Sequence, residues 1–172
     1  MLRICKIFLL LLIASSLCFS CEKEKDPLIK NIVINELMAV NSTIVTDQNG
    51  EFDDWFELYN LTAEDIDISG YFLSDNDSKP SKWKLPAGTV ITGGGYLVVW
   101  ADKDTTQAGL HANFKLSSGG EELVLSKPDL SIIDEISYPE QAAELSYSRF
   151  PDGTGTFKWQ IPTFNTSNNT FK

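Results

Sequence analysis

An all-β domain, a sandwich or a barrel, is what the sequence predicts from residue 31 onward, and three observations predict it. Apolar runs are short and are separated by turn-forming residues. No segment carries a convincing helical period, apart from a turn of helix near residues 140–144. Reversals such as Ser117-Ser118-Gly119-Gly120 fall where a strand must turn back, and glycine supplies the positive φ that tight reversals need. With 172 residues, 42% of them hydrophobic and 11% aromatic, the chain can fill one core domain and not two.

Taken in order, the expected strands are residues 32–38, 55–59, 70–74, 83–85, 95–101, 113–116, 123–126 and 132–138, with short terminal strands at 146–149 and 156–159. Tyr96-Leu97-Val98-Val99-Trp100 is apolar without alternation, which predicts a central strand covered on both faces. Gly93-Gly94-Gly95 precedes that strand. A phosphate-binding loop needs a helix N-terminus there instead, so the glycines read as a turn. The Asn, Ser and Thr of residues 165–172 read as a fraying end.

The first 20 residues have a different character. Arg3 and Lys6 precede the apolar run Ile7-Phe8-Leu9-Leu10-Leu11-Leu12-Ile13-Ala14, and small residues follow. This is the charged, apolar and small-residue order of an export signal, and the run is shorter than the roughly 20 residues that span a bilayer. Leu17-Cys18-Phe19-Ser20-Cys21 resembles a lipoprotein box, with Cys21 as the lipidated residue; ordinary cleavage after Ser20 is the alternative. A lone exposed thiol is disfavoured outside the cell, and Glu22-Lys23-Glu24-Lys25-Asp26 suits a polar spacer behind an anchor. The expected organisation is a signal peptide at 1–20, a lipidated cysteine and spacer at 21–30, one domain at 31–168 and a tail at 169–172. Glu22 after the cysteine resembles the outer-membrane sorting pattern, so a cell-envelope lipoprotein of the outer membrane is expected, on its inner or outer face.

Charge and cysteine count exclude several functions. The formal charge of −10 becomes −12 once Arg3 and Lys6 leave with the signal. Phosphate backbones are repelled by such a surface, and no Lys or Arg cluster offsets it, so no nucleic-acid partner is expected. Cys5, Cys18 and Cys21 are the chain's 3 cysteines, so the domain has no disulfide, thiol nucleophile or cysteine-based zinc site. His111 is the single histidine, and no nucleophile elbow accompanies it.

A series of motifs carries a resemblance. In order they are Ile34-Asn35-Glu36-Leu37, Asp53-Asp54-Trp55-Phe56-Glu57-Leu58-Tyr59-Asn60, Leu73-Ser74-Asp75, Trp83-Lys84-Leu85-Pro86, Phe114-Lys115-Leu116-Ser117, Gly120-Glu121-Glu122-Leu123 and Ser148-Arg149-Phe150-Pro151-Asp152-Gly153. Together they resemble the lamin tail domain family, in its bacterial exported lipoprotein form, over residues 32–168. The resemblance implies an immunoglobulin-like β-sandwich that mediates attachment. One departure stands out: the family closes with a Thr-Pro-Gly turn and an asparagine, and here Thr163-Phe164-Asn165 puts Phe and Asn in place of Pro and Gly.

Three groups of residues could carry chemistry. Glu36 is in phase with Ile32 and Ile34 and is expected to point into the core, paired with Arg149 in a structural network that includes Glu57. The competing reading makes Glu36, Glu57 and Asp54 the carboxylates of a hydrolase. Asp47, Asn49, Glu51, Asp53 and Asp54 offer oxygen ligands around Gly50 and could hold Ca²⁺, although the EF-hand pattern is incomplete; a solvated turn is the alternative, and no other cofactor is implied. Trp55, Tyr59 and Trp83 could present rings to a sugar, Trp55 and Tyr59 half exposed opposite Phe56 and Leu58. The function expected is therefore non-enzymatic: an envelope-tethered binding or scaffolding domain that engages a protein or a glycan. A carbohydrate-binding module and a carboxylate-based hydrolase are the alternatives.

Overall fold

The computed structural model of the protein describes residues 30–169; the expected signal peptide, Cys21 and its spacer lie outside the described residues. Eleven strands form among them: β1 (Ile32–Met38), β2 (Trp55–Asn60), β3 (Ile66–Asp67), β4 (Phe72–Ser74), β5 (Trp83–Lys84), β6 (Val90–Ile91), β7 (Tyr96–Trp100), β8 (Glu121–Ser126), β9 (Ile132–Tyr138), β10 (Ser146–Phe150) and β11 (Thr156–Gln160). They build a five-stranded sheet in the order β11-β10-β1-β2-β7, a four-stranded sheet β5-β4-β8-β9 and a small β3-β6 ladder, with every strand pairing antiparallel. The result is the immunoglobulin-like sandwich.

Between the two large sheets the core is a single apolar layer. Ile34, Leu37, Phe56, Leu58 and Val99 of the larger sheet meet Leu73, Leu123 and Leu125 of the smaller one, all fully buried. Residues 113–116 do not form the expected strand. They run as a loop held by an isolated Asp102–Lys115 bridge, and they insert Phe114, which stacks on Phe56 at 6.1 Å between centroids. Their alternating apolar pattern records which side faces the core, and a plugging loop needs that alternation as much as a strand does. The β3-β6 ladder was not expected, because two-residue strands are too short to show a period. Near Ala143-Glu144 there is a turn and no helix.

β7 departs from expectation in position. It is the last strand of the larger sheet and not a central one. Its unbroken apolar run is explained by cover on both faces: Leu97 and Val99 pack on the sandwich core, while Val98 and Trp100 lie in a second cluster with Met38, Trp55 and Phe164 on the sheet's outer face.

That second cluster exists because of one irregularity. In β1, Ile34 pairs with Leu58, but the next pair is Glu36 with Glu57, so Asn35 is the extra residue of a β-bulge. The bulge reverses the alternation. Ile32 and Ile34 before it, and Leu37 and Ala39 after it, face the core, whereas Glu36 and Met38 turn to the outer face. Glu36 therefore does not point into the sandwich core as its phase with Ile34 suggested. It stands beside Glu57 on the other side of the sheet, and both carboxylates are completely buried.

Residues 163–168 provide their cover, running as a strap across the outer face of β1, β2 and β7. Thr163 donates from its backbone N–H and its hydroxyl to Glu36, Asn165 N–H donates to Glu57 at 2.7 Å, and Phe164 sits edge-on to Trp55 at 5.1 Å. Phe164 and Asn165 hold φ of 33° and 59°. Asn165 thus occupies a left-handed conformation that asparagine tolerates almost as glycine does. The Phe-Asn pair consequently still makes a turn, with the Phe164 ring held between Trp55 and Trp100.

Candidate functional site

Asn35 sits at the centre of the outer face. Its side chain donates to Glu57 and to Asp152 at 3.0 Å and accepts from Gly153 N–H at 2.9 Å, while its carbonyl accepts from Asn168. Asp152 also accepts from the Tyr96 hydroxyl, the Ser167 hydroxyl and Asn168 N–H. Burial first, and repulsion from Glu36 second, push the Glu57 carboxyl up to about 8. Burial raises Glu36 as well, against hydrogen bonds from Ser146 and Thr163 that lower it. Burial thus biases both carboxyls toward the protonated form, while Thr163 donates to Glu36 and Asn35 and Asn165 donate to Glu57. The two carboxyls lie under the strap and not in an open cleft, which removes the geometry a hydrolase would need, and Asp54 lies elsewhere, accepting from Asn41 N–H, with burial raising it to about 6.

Arg149 does not pair with Glu36. It donates to Asp134 at 3.1 Å, to the carbonyls of Ile34 and Gly155, and stacks over Phe157 at 4.6 Å. Asp134, on β9, is completely buried at the side chain and also accepts from Lys30 and from Ile34 N–H. Asp134 therefore ties β9 to β1 across the open side of the sandwich. The bulge explains the mismatch, since it turns Glu36 to the face opposite the Arg149–Asp134 contact. An aspartate inside the apolar run Ile132-Ile133-Asp134-Glu135-Ile136 was the sequence signal for this partner.

The aromatics expected to share a platform are dispersed. Trp55, expected half exposed, is fully buried under Phe164. Tyr59 is half-buried against Tyr96 at 4.8 Å, and Trp83 is half-buried on β5 of the opposite sheet, packed against the core. Trp159 on the edge strand β11 is 40% exposed and lies 5.2 Å from Tyr147, and Phe52 of the β1–β2 loop is 47% exposed. His111, the single histidine, is enclosed as well: Nδ1 lies 2.6 Å from Asp102 and Nε2 lies 3.1 Å from the Ala108 carbonyl.

The oxygen-rich loop between β1 and β2 is compact. Asp47 accepts from the backbone N–H of Asn49 and Glu51 at 2.9 and 2.8 Å through one carboxylate oxygen, Oδ1, and Gly50 turns the chain at φ 83°. Single carboxylate oxygens of Asp47, Glu51 and Asp53 come within 4.8 Å of one another. Asn49 and Asp54 are outside that group.

Along the free side of β7 lies a cleft of about 370 Å³. The segment after it accounts for part of that edge: Trp100 N–H donates to the Leu110 carbonyl, and Ala112 N–H donates to the Trp100 carbonyl. Alternation directs the N–H and C=O of Val98 the same way. No strand continues the sheet there among the described residues. Leu110 bounds one end of the cleft, Phe164 and Asn165 of the strap bound one wall, and Thr46, Asp47 and Gln48 of the β1–β2 loop bound the other. Sequence reading missed this edge because an apolar run without alternation looks like a central strand.

The fold defines the class: an antiparallel immunoglobulin-like β-sandwich. The family model of the Lamin Tail Domain matches residues 27–140, well over half of the chain, and the chain belongs to the lamin tail domain family. The matched span carries β1 to β9, while the strap and the strands β10 and β11 follow it. No curated protein matches the chain.

Proposed function

We propose that this protein is a non-catalytic binding and scaffolding domain, anchored at the cell envelope through a lipid on Cys21, that engages an extended segment of an envelope protein along the free edge of β7. The observation that carries this reading is the free side of β7 at Val98, which lines a cleft of about 370 Å³ together with Leu97, Leu110 and Phe164. Strand addition supplies affinity through main-chain hydrogen bonds and specificity through pockets for alternate side chains. An edge that is short, and flanked by the loop and the strap, can accept a partner strand without inviting indiscriminate pairing. The chain's acidic charge favours a neutral or basic partner segment.

The test uses the alternation itself. Val98→Pro removes a donor that faces away from β2, so the β2–β7 ladder keeps its bonds while the edge loses its capacity to pair. A photo-crosslinking residue at Gln48, in the full chain expressed in its own cells, should give a discrete adduct that disappears in the Val98→Pro background. Adducts of unchanged pattern would sink the edge reading. Cys21→Ser should move the protein from the membrane to the soluble fraction; retention in the membrane would refute the lipid anchor. A sugar-binding reading retains one supporting observation, the exposed Trp159 ring beside Tyr147. A glycan array that responds to Trp159→Ala would favour it over the β7 edge.

A further inference from the structure

We propose that Asp47, Glu51 and Asp53 form a Ca²⁺ site in the loop between β1 and β2. Three features of the loop lead there, and the first is distance. Oxygens within 4.8 Å of one another can all touch one ion, because Ca²⁺–oxygen bonds of about 2.4 Å place opposed ligands about 4.8 Å apart.

The second feature is a buried oxygen without a partner. Asp47 is 7% exposed, and its Oδ1 is fully engaged by two backbone N–H donors. Its Oδ2 is buried and has no hydrogen-bond donor among the described residues. Leaving an ionised carboxylate oxygen desolvated and unpaired costs several kcal/mol as an order of magnitude, and a cation beside it removes that cost. A loop that merely needed an Asx turn would use Oδ1 and leave the second oxygen in water. Here the second oxygen is turned inward, in the residue that belongs to the oxygen cluster.

The third feature is a concentration of negative charge: burial first, then repulsion from Asp102, Asp47 and Glu51, raises the Asp53 carboxyl, against an attraction to Lys115. Gln107 reaches over from the loop after β7 and donates to Glu51 at 2.7 Å and to Asp104 at 3.2 Å, which holds one side of the cluster without neutralising it. Three carboxylates, one of them on the exposed Glu51 where water can complete a shell of six to eight, suit Ca²⁺ better than Mg²⁺, which demands near-octahedral geometry at about 2.1 Å. Affinity in the range of extracellular modules, a Kd of about 0.1–1 mM, is expected from so few protein ligands. The site stands whether or not the β7 cleft binds a peptide. Because Asp47 also lines that cleft, a bound ion would fix one of its walls.

The test is thermal unfolding of the full chain in detergent, first with chelator and then with CaCl₂ up to about 5 mM, a concentration chosen to saturate such a site. A saturable rise in Tm of about 3–6 °C is expected. It should vanish in Asp47→Asn, which keeps Oδ1 for the two backbone donors and replaces the unpartnered oxygen. It should vanish also in Asp53→Asn, whose carboxylate takes no part in the loop's backbone hydrogen bonds, so that a folding defect in the first variant does not decide the matter. Asp77→Asn, in a different acidic turn, should behave as the parent. Absence of a shift overturns the proposal. So does a shift that both loop variants retain, or an equal response to Mg²⁺.

Discussion

Glu57 is the residue whose chemistry is most unlike its surface appearance in the sequence. Held under the strap beside Glu36, its carboxyl titrates at about 8 where an ordinary glutamate titrates at 4.5. A folded-state value above the unfolded one means that its contribution to stability is fully present below about 4.5 and is lost as pH rises through about 8. Chemical denaturation of parent and Glu57→Gln across this window should show the parent losing stability relative to the variant by about 1–3 kcal/mol as pH rises. A constant difference across the window would show that the fold does not raise the Glu57 carboxyl. Asp134 makes the complementary case. With Lys30, Arg149 and Ile34 N–H all directed at it, Asp134→Ala strands a half-buried guanidinium and a backbone donor, and a loss of about 3–5 kcal/mol is expected in denaturant melts. A loss under 1 kcal/mol, on the order of an exposed ion pair, would place the contact among ordinary surface bridges.

Elements were legible in the sequence wherever they were long enough to show a period. β1, β2, β8, β9 and the terminal hairpin β10-β11 fall within a few residues of their expected positions, because four or more alternating residues leave little choice of face. What failed was local. One extra residue, Asn35, inverted the facing of Glu36, and no alternation rule detects a bulge before the partner strand is known. The same inversion parted Glu36 from Arg149, whereas Trp55 is hidden by Phe164 of the strap. The strap was read as a frayed end on its Asn, Ser and Thr content. Those residues instead saturate Glu36, Glu57 and Asp152 with donors, using polar side chains as cover. If that is their work, Asn165→Val should cost about 1–2 kcal/mol through its left-handed φ, while Asn165→Gly should lie within about 0.5 kcal/mol of the parent. Equal stability of the valine and glycine variants would mean that the strap does not hold that conformation.

At the scale of the whole molecule, two edges end the five-stranded sheet, and they are unlike. β11 carries the exposed Trp159, with Lys158 lying over Phe150 at 4.4 Å, whereas β7 is recessed between the strap and the β1–β2 loop. A charged, twisted edge resists pairing, and a recessed one with matched walls selects for it. The family match accounts for the sandwich. The strap follows the matched residues; it covers the outer face of the sheet, and Phe164 and Asn165 line the β7 cleft. The most direct measurement is amide hydrogen exchange on the full chain, compared between purified protein in detergent and protein in its native envelope membranes. Occupancy of the β7 edge predicts that the Val98 amide exchanges freely in the purified protein and becomes protected in the envelope, with β11 unchanged. Unchanged exchange at Val98, with new protection confined to β11 around Trp159, would contradict strand addition at β7 and place the partner at the opposite end of the sheet.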